Sequence, residues 1–112
     1  MNFDKQDLEN LLYTVPANLG LMERLAPQEV VRLGEVVYNA LLLIEEQGYD
    51  LSRNFETWAE AAKAKITSEL NSSAEYFGDT KIASELDITA LLKGFFHFES
   101  GEFLNSQNTA GQ

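Results

Sequence analysis

The stretch that decides the fold is Pro27–Gly48, PQEVVRLGEVVYNALLLIEEQG, which has the length and the hydrophobic spacing of one long helix. Its apolar residues form two adjacent stripes that together cover well over the ~100° typical of a surface helix. The first stripe is Val30, Leu33, Val37, Leu41 and Ile44, and the second is Val31, Tyr38 and Leu42. We therefore predict that helix 27–47 is the central element of a small all-α domain, or that it completes its burial against another chain.

Three residues of this stretch predict how the helix begins, ends and packs. Pro27 suits the first turn, where its missing N–H has no helical partner to lose, and Gly48 suits a left-handed cap after the last turn. Gly34 lies in the middle, where glycine costs about 1 kcal/mol relative to alanine. We expect a neighbouring helix to approach closely at Gly34.

The flanking sequence predicts further helices, so the fold class is an all-α bundle of four to six helices in one domain over residues 1–103. Asn2 or Asp4 is expected to cap a first helix that runs to about Thr14, and Pro16 is expected to begin a short second one. Asp87 is expected to cap the last helix. The other predicted segments are an amphipathic helix over 54–70, a further turn over 73–78, and a flexible polar tail over 104–112.

Composition excludes several classes of function. The 112 residues carry 18 acidic and 8 basic side chains, a net charge of −10, which argues against direct binding to nucleic acid or to anionic membranes. No apolar run approaches the ~18 residues that span a bilayer, and the N-terminus lacks the apolar region of a secretory signal. We therefore expect a cytoplasmic protein. The chain has no cysteine, so disulfides and thiolate chemistry are excluded.

Catalytic, metal and cofactor sites are not predicted. His97 is the only histidine, and Glu99 and Glu102 follow it without any nucleophile at a telling spacing. The acidic pairs lack the Asp/Asn/Gly spacing of a calcium loop, and no glycine-rich phosphate loop is present. We expect a non-enzymatic protein without cofactor, in which His97 has a structural role.

The segment Ile82–Thr89, IASELDIT, resembles the first helix and turn of a helix-turn-helix. The helix that follows offers a single basic residue, Lys93, and almost nothing that could bond a base edge. A DNA-binding role would require Lys81 and Lys93 to share a positive face with Arg53 or Lys65. Ordinary helix packing is the preferred interpretation, and a helix-turn-helix regulator is the third option.

Large apolar residues exceed what one face of each helix can bury. Phe95, Phe96 and Phe98 lie within four positions and cannot share one helix face, so some of them should be exposed unless Phe103 and the tail close over the core. The sequence thus predicts an acidic protein–protein interaction module, a small regulatory or adaptor protein that forms a homodimer. The interface candidates are Val31, Tyr38, Leu42, Phe95, Phe96, Phe98 and Phe103.

The net charge supports a second hypothesis from another class. An inhibitor that imitates nucleic acid would present its carboxylates on one surface and occupy the basic site of a DNA-binding protein or nuclease. Such binding would depend strongly on salt. The simpler interpretation is that the charge serves solubility.

Overall fold

The computed structural model describes residues 3–72 and 82–100, and these residues form helices joined by short connections, with no strand among them. The predicted all-α bundle is confirmed. The predicted turn over 73–78 and the tail over 104–112 lie outside the described residues. The elements are α1 (Lys5–Thr14), a 3-10 turn (Pro16–Asn18), α2 (Leu19–Arg24), α3 (Pro27–Glu46), α4 (Phe55–Ser72), α5 (Ile82–Glu85) and α6 (Ile88–Ser100).

Helix α1 begins at a reciprocal cap, as its sequence predicts. The backbone N–H of Asp7 donates to Asp4 Oδ1 at 2.9 Å, and the N–H of Asp4 donates to Asp7 Oδ2 at 2.9 Å. The pair satisfies backbone donors that have no partner inside the helix. Pro16 follows the end of α1 and opens the 3-10 turn that leads into α2.

Helix α3 runs from Pro27 to Glu46, one residue short of the predicted end, and contributes eight buried residues to the core. Pro27 occupies its first turn, and the Glu29 carboxylate accepts a hydrogen bond from the N–H of Ala26 at 2.9 Å. Gly48 follows with φ of 102°, the left-handed conformation that glycine adopts most easily. The local signals at both ends of this helix are therefore confirmed.

The four longer helices pack in a ring. Helix α3 contacts α1 on one side and α4 on the other, α4 contacts α6, and α6 returns to α1. Phe3, just before α1, stacks edge-on against Phe95 in the second half of α6, whereas Asn18, after α1, bonds to Asp87 at the start of α6. Helices α1 and α6 are therefore antiparallel.

Helix α1 approaches α3 closely at Gly34, as predicted. A Cβ atom at this position would lie 2.9 Å from Cγ of Glu9, which is closer than carbon atoms normally pack. Glycine at this position lowers the helix propensity of α3 but allows α1 and α3 to pack at a short distance.

Aromatic rings fill the centre of the bundle where α4 meets α6. Trp58 is fully buried, and its indole N–H donates to the carbonyl oxygen of Arg53 at 3.2 Å. Its ring packs edge-on against Phe55 and Phe95, with centroid distances of 5.3 and 6.1 Å. Phe95 also receives the edge-on contact from Phe3 at 4.8 Å, so one α6 residue connects the N-terminus to α4.

Candidate functional site

An apolar groove lies along the seam of α1 and α6 and encloses about 660 Å³. The floor of this groove is made of buried apolar side chains. Its rim carries exposed and half-buried polar residues from both helices. The floor is Phe3, Leu8, Val15 and Phe95, and the rim includes Asp7, Asn10, Lys93 and His97. We call this feature the α1/α6 groove.

Two small residues of α6 face the α1/α6 groove and leave that side of the helix without long side chains. A Cβ atom on Gly94 would lie 3.3 Å from both Leu11 Cδ1 and Val15 Cγ2, so the helices come close at this point. Ala90, one turn earlier on the same helix, also lines the groove. Because neither residue projects a long side chain, α6 leaves a concave apolar surface beside α1.

Phe98 marks the end of the α1/α6 groove near the N-terminus of α1. Its side chain is 47% exposed, although it belongs to a helix whose preceding turn supplies the buried Phe95. Exposed aromatic rings beside a concave apolar surface are typical of docking sites. His97 also lines the groove and packs beside Phe96 at 6.0 Å between ring centroids.

Several carboxylates interact electrostatically with Glu99, near the end of α6. Burial of Glu99 raises the pKa of its carboxyl group, and the negative charges of Glu45, Asp50 and Asp7 raise it further, against an opposing effect of the positive N-terminal amino group. Oε2 of Glu99 is buried and has no hydrogen-bond partner among the described residues. We call Asp7, Glu45, Asp50 and Glu99 the acidic group. Of these four residues, only Asp7 is among the described residues that line the α1/α6 groove.

Asp50 differs from Glu99 because its charge is stabilised locally. The hydroxyl of Ser52 donates to Asp50 Oδ1 at 2.6 Å and the backbone N–H of Ser52 donates to the same atom at 3.0 Å. These bonds, with a smaller contribution from the Arg53 guanidinium, lower the pKa of Asp50. Asp50 therefore remains anionic and opposes the ionisation of Glu99.

The aromatic run of α6 divides as its spacing requires. Phe95 is only 1% exposed and lies in the core, because Phe3 and Trp58 pack against it from α1 and α4. Phe95 also forms part of the floor of the α1/α6 groove, and its role at an interface stays a prediction. Phe96 is half-buried against Phe55, whereas Phe98 is exposed. Phe103 lies outside the described residues.

The three interface candidates on α3 lie away from the α1/α6 groove. Val31 is 43% exposed, whereas Tyr38 and Leu42 are half-buried. Tyr38 is covered by the edge of the Phe3 ring at 5.7 Å and by the Lys5 ammonium, 5.9 Å from its ring centroid. Part of the apolar excess of α3 is therefore covered by the N-terminal segment of the same chain.

Sequence reasoning missed the contribution of α1 to the groove. Leu11 and Val15 were recognisable as apolar residues, but their sequence does not show which part of the bundle would lie over them. The sequence does contain one signal. Ala90 and Gly94 lie four residues apart and therefore share one face of α6, which predicts a strip of that helix without long side chains. Close packing at Gly94 was not predicted.

The basic residues proposed for DNA binding have separate environments. Nε of Arg53 lies 3.8 Å from Oδ2 of Asp50, and Nζ of Lys65 lies 3.0 Å from Oε1 of Glu69. Lys93 borders the α1/α6 groove, and Lys81 lies outside the described residues. Within residues 3–72 and 82–100, two of the three relevant cations are therefore paired with carboxylates.

The described residues include neither a metal-binding group of side chains nor a helix that could span a membrane. In residues 3–72 and 82–100, no group of three or more histidine, cysteine, aspartate or glutamate side chains is arranged to hold a metal ion. Within the same ranges, no helix combines the length and the apolar character needed to cross a membrane. Another hollow, of about 750 Å³, has described lining residues from α4 alone.

In comparisons with known proteins, no family model matches the chain, and neither the curated proteins nor the solved structures contain a significant match.

Proposed function

We propose that this protein is a non-enzymatic interaction module that binds a helical segment of a partner protein in the α1/α6 groove. The observation that carries the proposal is the position of Phe98, which is 47% exposed at the end of an apolar groove. The net charge of −10 favours solubility through mutual repulsion. An apolar groove on such a charged surface is typical of a site that binds another protein.

The shape of the groove favours a helix as the bound element. It lies between two antiparallel helices, and a third helix can insert its apolar ridge into the seam of such a pair. A partner side chain that packs on Phe98 removes apolar area from water, with about 1 kcal/mol gained from a ring that is already half-buried. Binding energy of this kind depends on a few anchor residues.

A selection experiment tests the proposal. A display library of random helical peptides is selected against the full chain, and the enriched peptides are measured by fluorescence anisotropy. We expect amphipathic peptides whose affinity falls about tenfold for Phe98→Ala. Tyr13→Ala is the matched control, because Tyr13 is equally exposed, at 49%, and does not line the groove.

Two outcomes would contradict the proposal. One is a selection that enriches no peptide above an unrelated acidic protein used as bait. The other is a set of peptides that lose the same affinity with Phe98→Ala and with Tyr13→Ala, since the groove would then not be their binding site.

The homodimer expected from the sequence stays a prediction, and α3 is the surface proposed for it. Val31 is the most exposed of the three candidates on that helix. Because each copy carries a net charge of −10, salt should strengthen self-association by screening the repulsion. Sedimentation at micromolar concentration checks this, and a monomer at both low and high salt would refute it. The cytoplasmic location is likewise a prediction.

An acidic inhibitor that imitates nucleic acid is the second candidate function. The observation that favours it is the net charge of −10, with 18 acidic and 8 basic side chains. This function predicts binding to a basic nucleic-acid-binding protein that depends strongly on salt and does not change with Phe98→Ala. The groove proposal predicts the opposite response to that variant.

A further inference from the structure

We infer that the α1/α6 groove takes the C-terminal segment of its own chain, residues 101–112, as an intramolecular ligand, with Phe103 and Leu104 against the apolar floor. This segment lies outside the described residues, and the inference assigns it a binding site on the described surface. The contact itself does not require a partner protein. Its consequence, competition with a partner helix, rests on the proposed function of the groove.

The segment begins at the end of the groove that it would enter. Helix α6 ends at Ser100, two residues after Phe98, which lines the groove. Gly101 follows directly, and glycine is the residue that most often ends a helix in the left-handed conformation. A turn at this point directs the next residues back along α6, toward its seam with α1.

The length of the segment matches the length of the groove. The groove runs beside the whole of α1, from Phe3 before the helix to Ala17 after it. Ten helical residues extend about 15 Å, and the flanking residues lengthen the wall to ~20 Å. An extended chain advances about 3.3 Å per residue, so Ser106 reaches the far end of the groove.

Phe103 is within reach of the concave part of the groove. Three residues beyond Ser100 span about 10 Å, which is the rise of about seven helical residues. Seven positions before Ser100 is Lys93, next to Gly94, where α6 presents no side chain to the seam. Phe103 and Leu104 are the only large apolar residues of the segment, so they are the ones that can cover the apolar floor.

Charge and attachment favour this occupant over a second copy of the chain. Residues 101–112 contain one charged side chain, Glu102, whereas a second copy brings a net charge of −10 to a surface of the same sign. Because the segment is attached to α6, it acts at an effective concentration on the order of 1 mM. It also binds without the loss of translational freedom that a separate molecule incurs.

An intramolecular ligand of this kind makes the groove a regulated site. A partner helix binds only to chains in which the segment has left the floor. The apparent affinity for the partner therefore falls in proportion to the fraction of chains with an open groove.

Paramagnetic NMR on the full chain tests the contact. The chain has no cysteine, so Ser106→Cys supplies a single site for a nitroxide label. We expect the label to broaden the amide signals of Val15 and Ala17, which line the far end of the groove. The double variant with Phe103→Ser and Leu104→Ser should lose this broadening, because it removes the apolar pair from the segment.

Two controls identify the source of the broadening. The variant with Asn105→Ala and Gln107→Ala changes two polar residues of the same segment and should retain the broadening. The second control is a mixture of isotope-labelled chain without nitroxide and nitroxide-labelled chain without isotope, in which we expect no broadening. Broadening in the mixture would assign the groove to a second copy and overturn the inference.

The helical peptides separate this inference from the proposed function. If both hold, the variant with Phe103→Ser and Leu104→Ser should bind the selected peptides about tenfold more tightly than the wild type, because the competing ligand is lost. Broadening that is absent, or that is unchanged in this variant, overturns the inference whether or not peptides bind. Peptide affinity that does not rise in the variant also overturns it.

The reverse result is equally distinct. Broadening that responds to the variants as expected, together with a selection that enriches no peptide even against the variant with Phe103→Ser and Leu104→Ser, supports the intramolecular ligand and overturns the proposed function.

Discussion

Asn18 and Asp87 are joined by two hydrogen bonds although they lie 69 positions apart in the chain. The Asn18 amide donates to the carbonyl oxygen of Asp87 at 3.2 Å, and the backbone N–H of Asp87 donates to Asn18 Oδ1 at 2.8 Å. The Asp87 carboxylate meanwhile caps α6 by accepting from the N–H of Ala90 at 3.0 Å. A fully buried amide thus fixes the start of α6 against the end of α1, and with it one end of the groove.

Substitution of Asn18 should destabilise the protein. Asn18→Ala leaves the backbone groups of Asp87 without their partner in a buried site, which costs about 2–3 kcal/mol. Asn18→Asp should cost at least as much, because it replaces the donor with a second acceptor and buries a charge. Urea unfolding followed by Trp58 fluorescence measures both. Asn39→Ala, at an exposed position of α3, is the control, with an expected change within about 0.5 kcal/mol.

Two glycines within helices should respond in opposite directions to alanine. Gly20→Ala places a Cβ where no atom lies within 4 Å, so the gain in helix propensity should stabilise the protein by about 0.5–1 kcal/mol. Gly34→Ala places its Cβ 2.9 Å from Glu9 Cγ, and overpacking should outweigh the propensity gain by about 1 kcal/mol. Thermal unfolding by circular dichroism gives both signs.

A double-mutant cycle identifies the cause at Gly34. Glu9→Ala removes the Cγ atom that the new Cβ would meet, so Gly34→Ala should become stabilising in this background. A substitution that is equally destabilising with and without the Glu9 side chain would refute the proposed contact.

The stability of the protein should depend on pH through Glu99. Burial and the nearby carboxylates raise the pKa of Glu99 in the folded state, so its ionisation opposes folding. This unfavourable contribution is fully present above the raised pKa, and it disappears as the pH falls below the ordinary value for glutamate. Glu99→Gln should therefore be more stable than the wild type at about pH 7, and the difference should vanish near pH 4.

Glu46→Gln is the control for this pH dependence. It removes the same charge from an exposed position at the end of α3 and reports the general effect of a lower net charge. Urea titrations at both pH values give the comparison. If Glu99→Gln gains no more stability than Glu46→Gln at neutral pH, the proposed environment of Glu99 is wrong.

The ends of the helices could be predicted because their signals are local. Asp4, Pro27, Gly48 and Asp87 each act on backbone groups within one turn, and all four appear where the sequence places them. Gly34 was also informative, since glycine inside a strongly apolar helix requires a compensating contact. The helix ends depend on neighbouring residues alone, whereas the contact that Gly34 permits involves Glu9 of another helix.

The α1/α6 groove could not be predicted from the same information. Spacing shows that Phe96 and Phe98 point in different directions, but the burial of Phe95 depends on Phe3 and Trp58, which are distant in the chain. The seam depends on the close contact of Gly94 with Leu11 and on the antiparallel arrangement that Asn18 helps to fix. Such relationships arise only when the helices are packed.

The most direct test of the account is the mapping of a selected peptide on the protein by two-dimensional NMR. Because the groove is proposed as the binding site, the largest shifts should belong to its lining residues on α1 and α6, including Leu11, Gly94 and Phe98. The residues around Val31 on α3 should change little. Shifts centred on α3, or spread over the acidic surface without a maximum at the groove, would contradict the central claim.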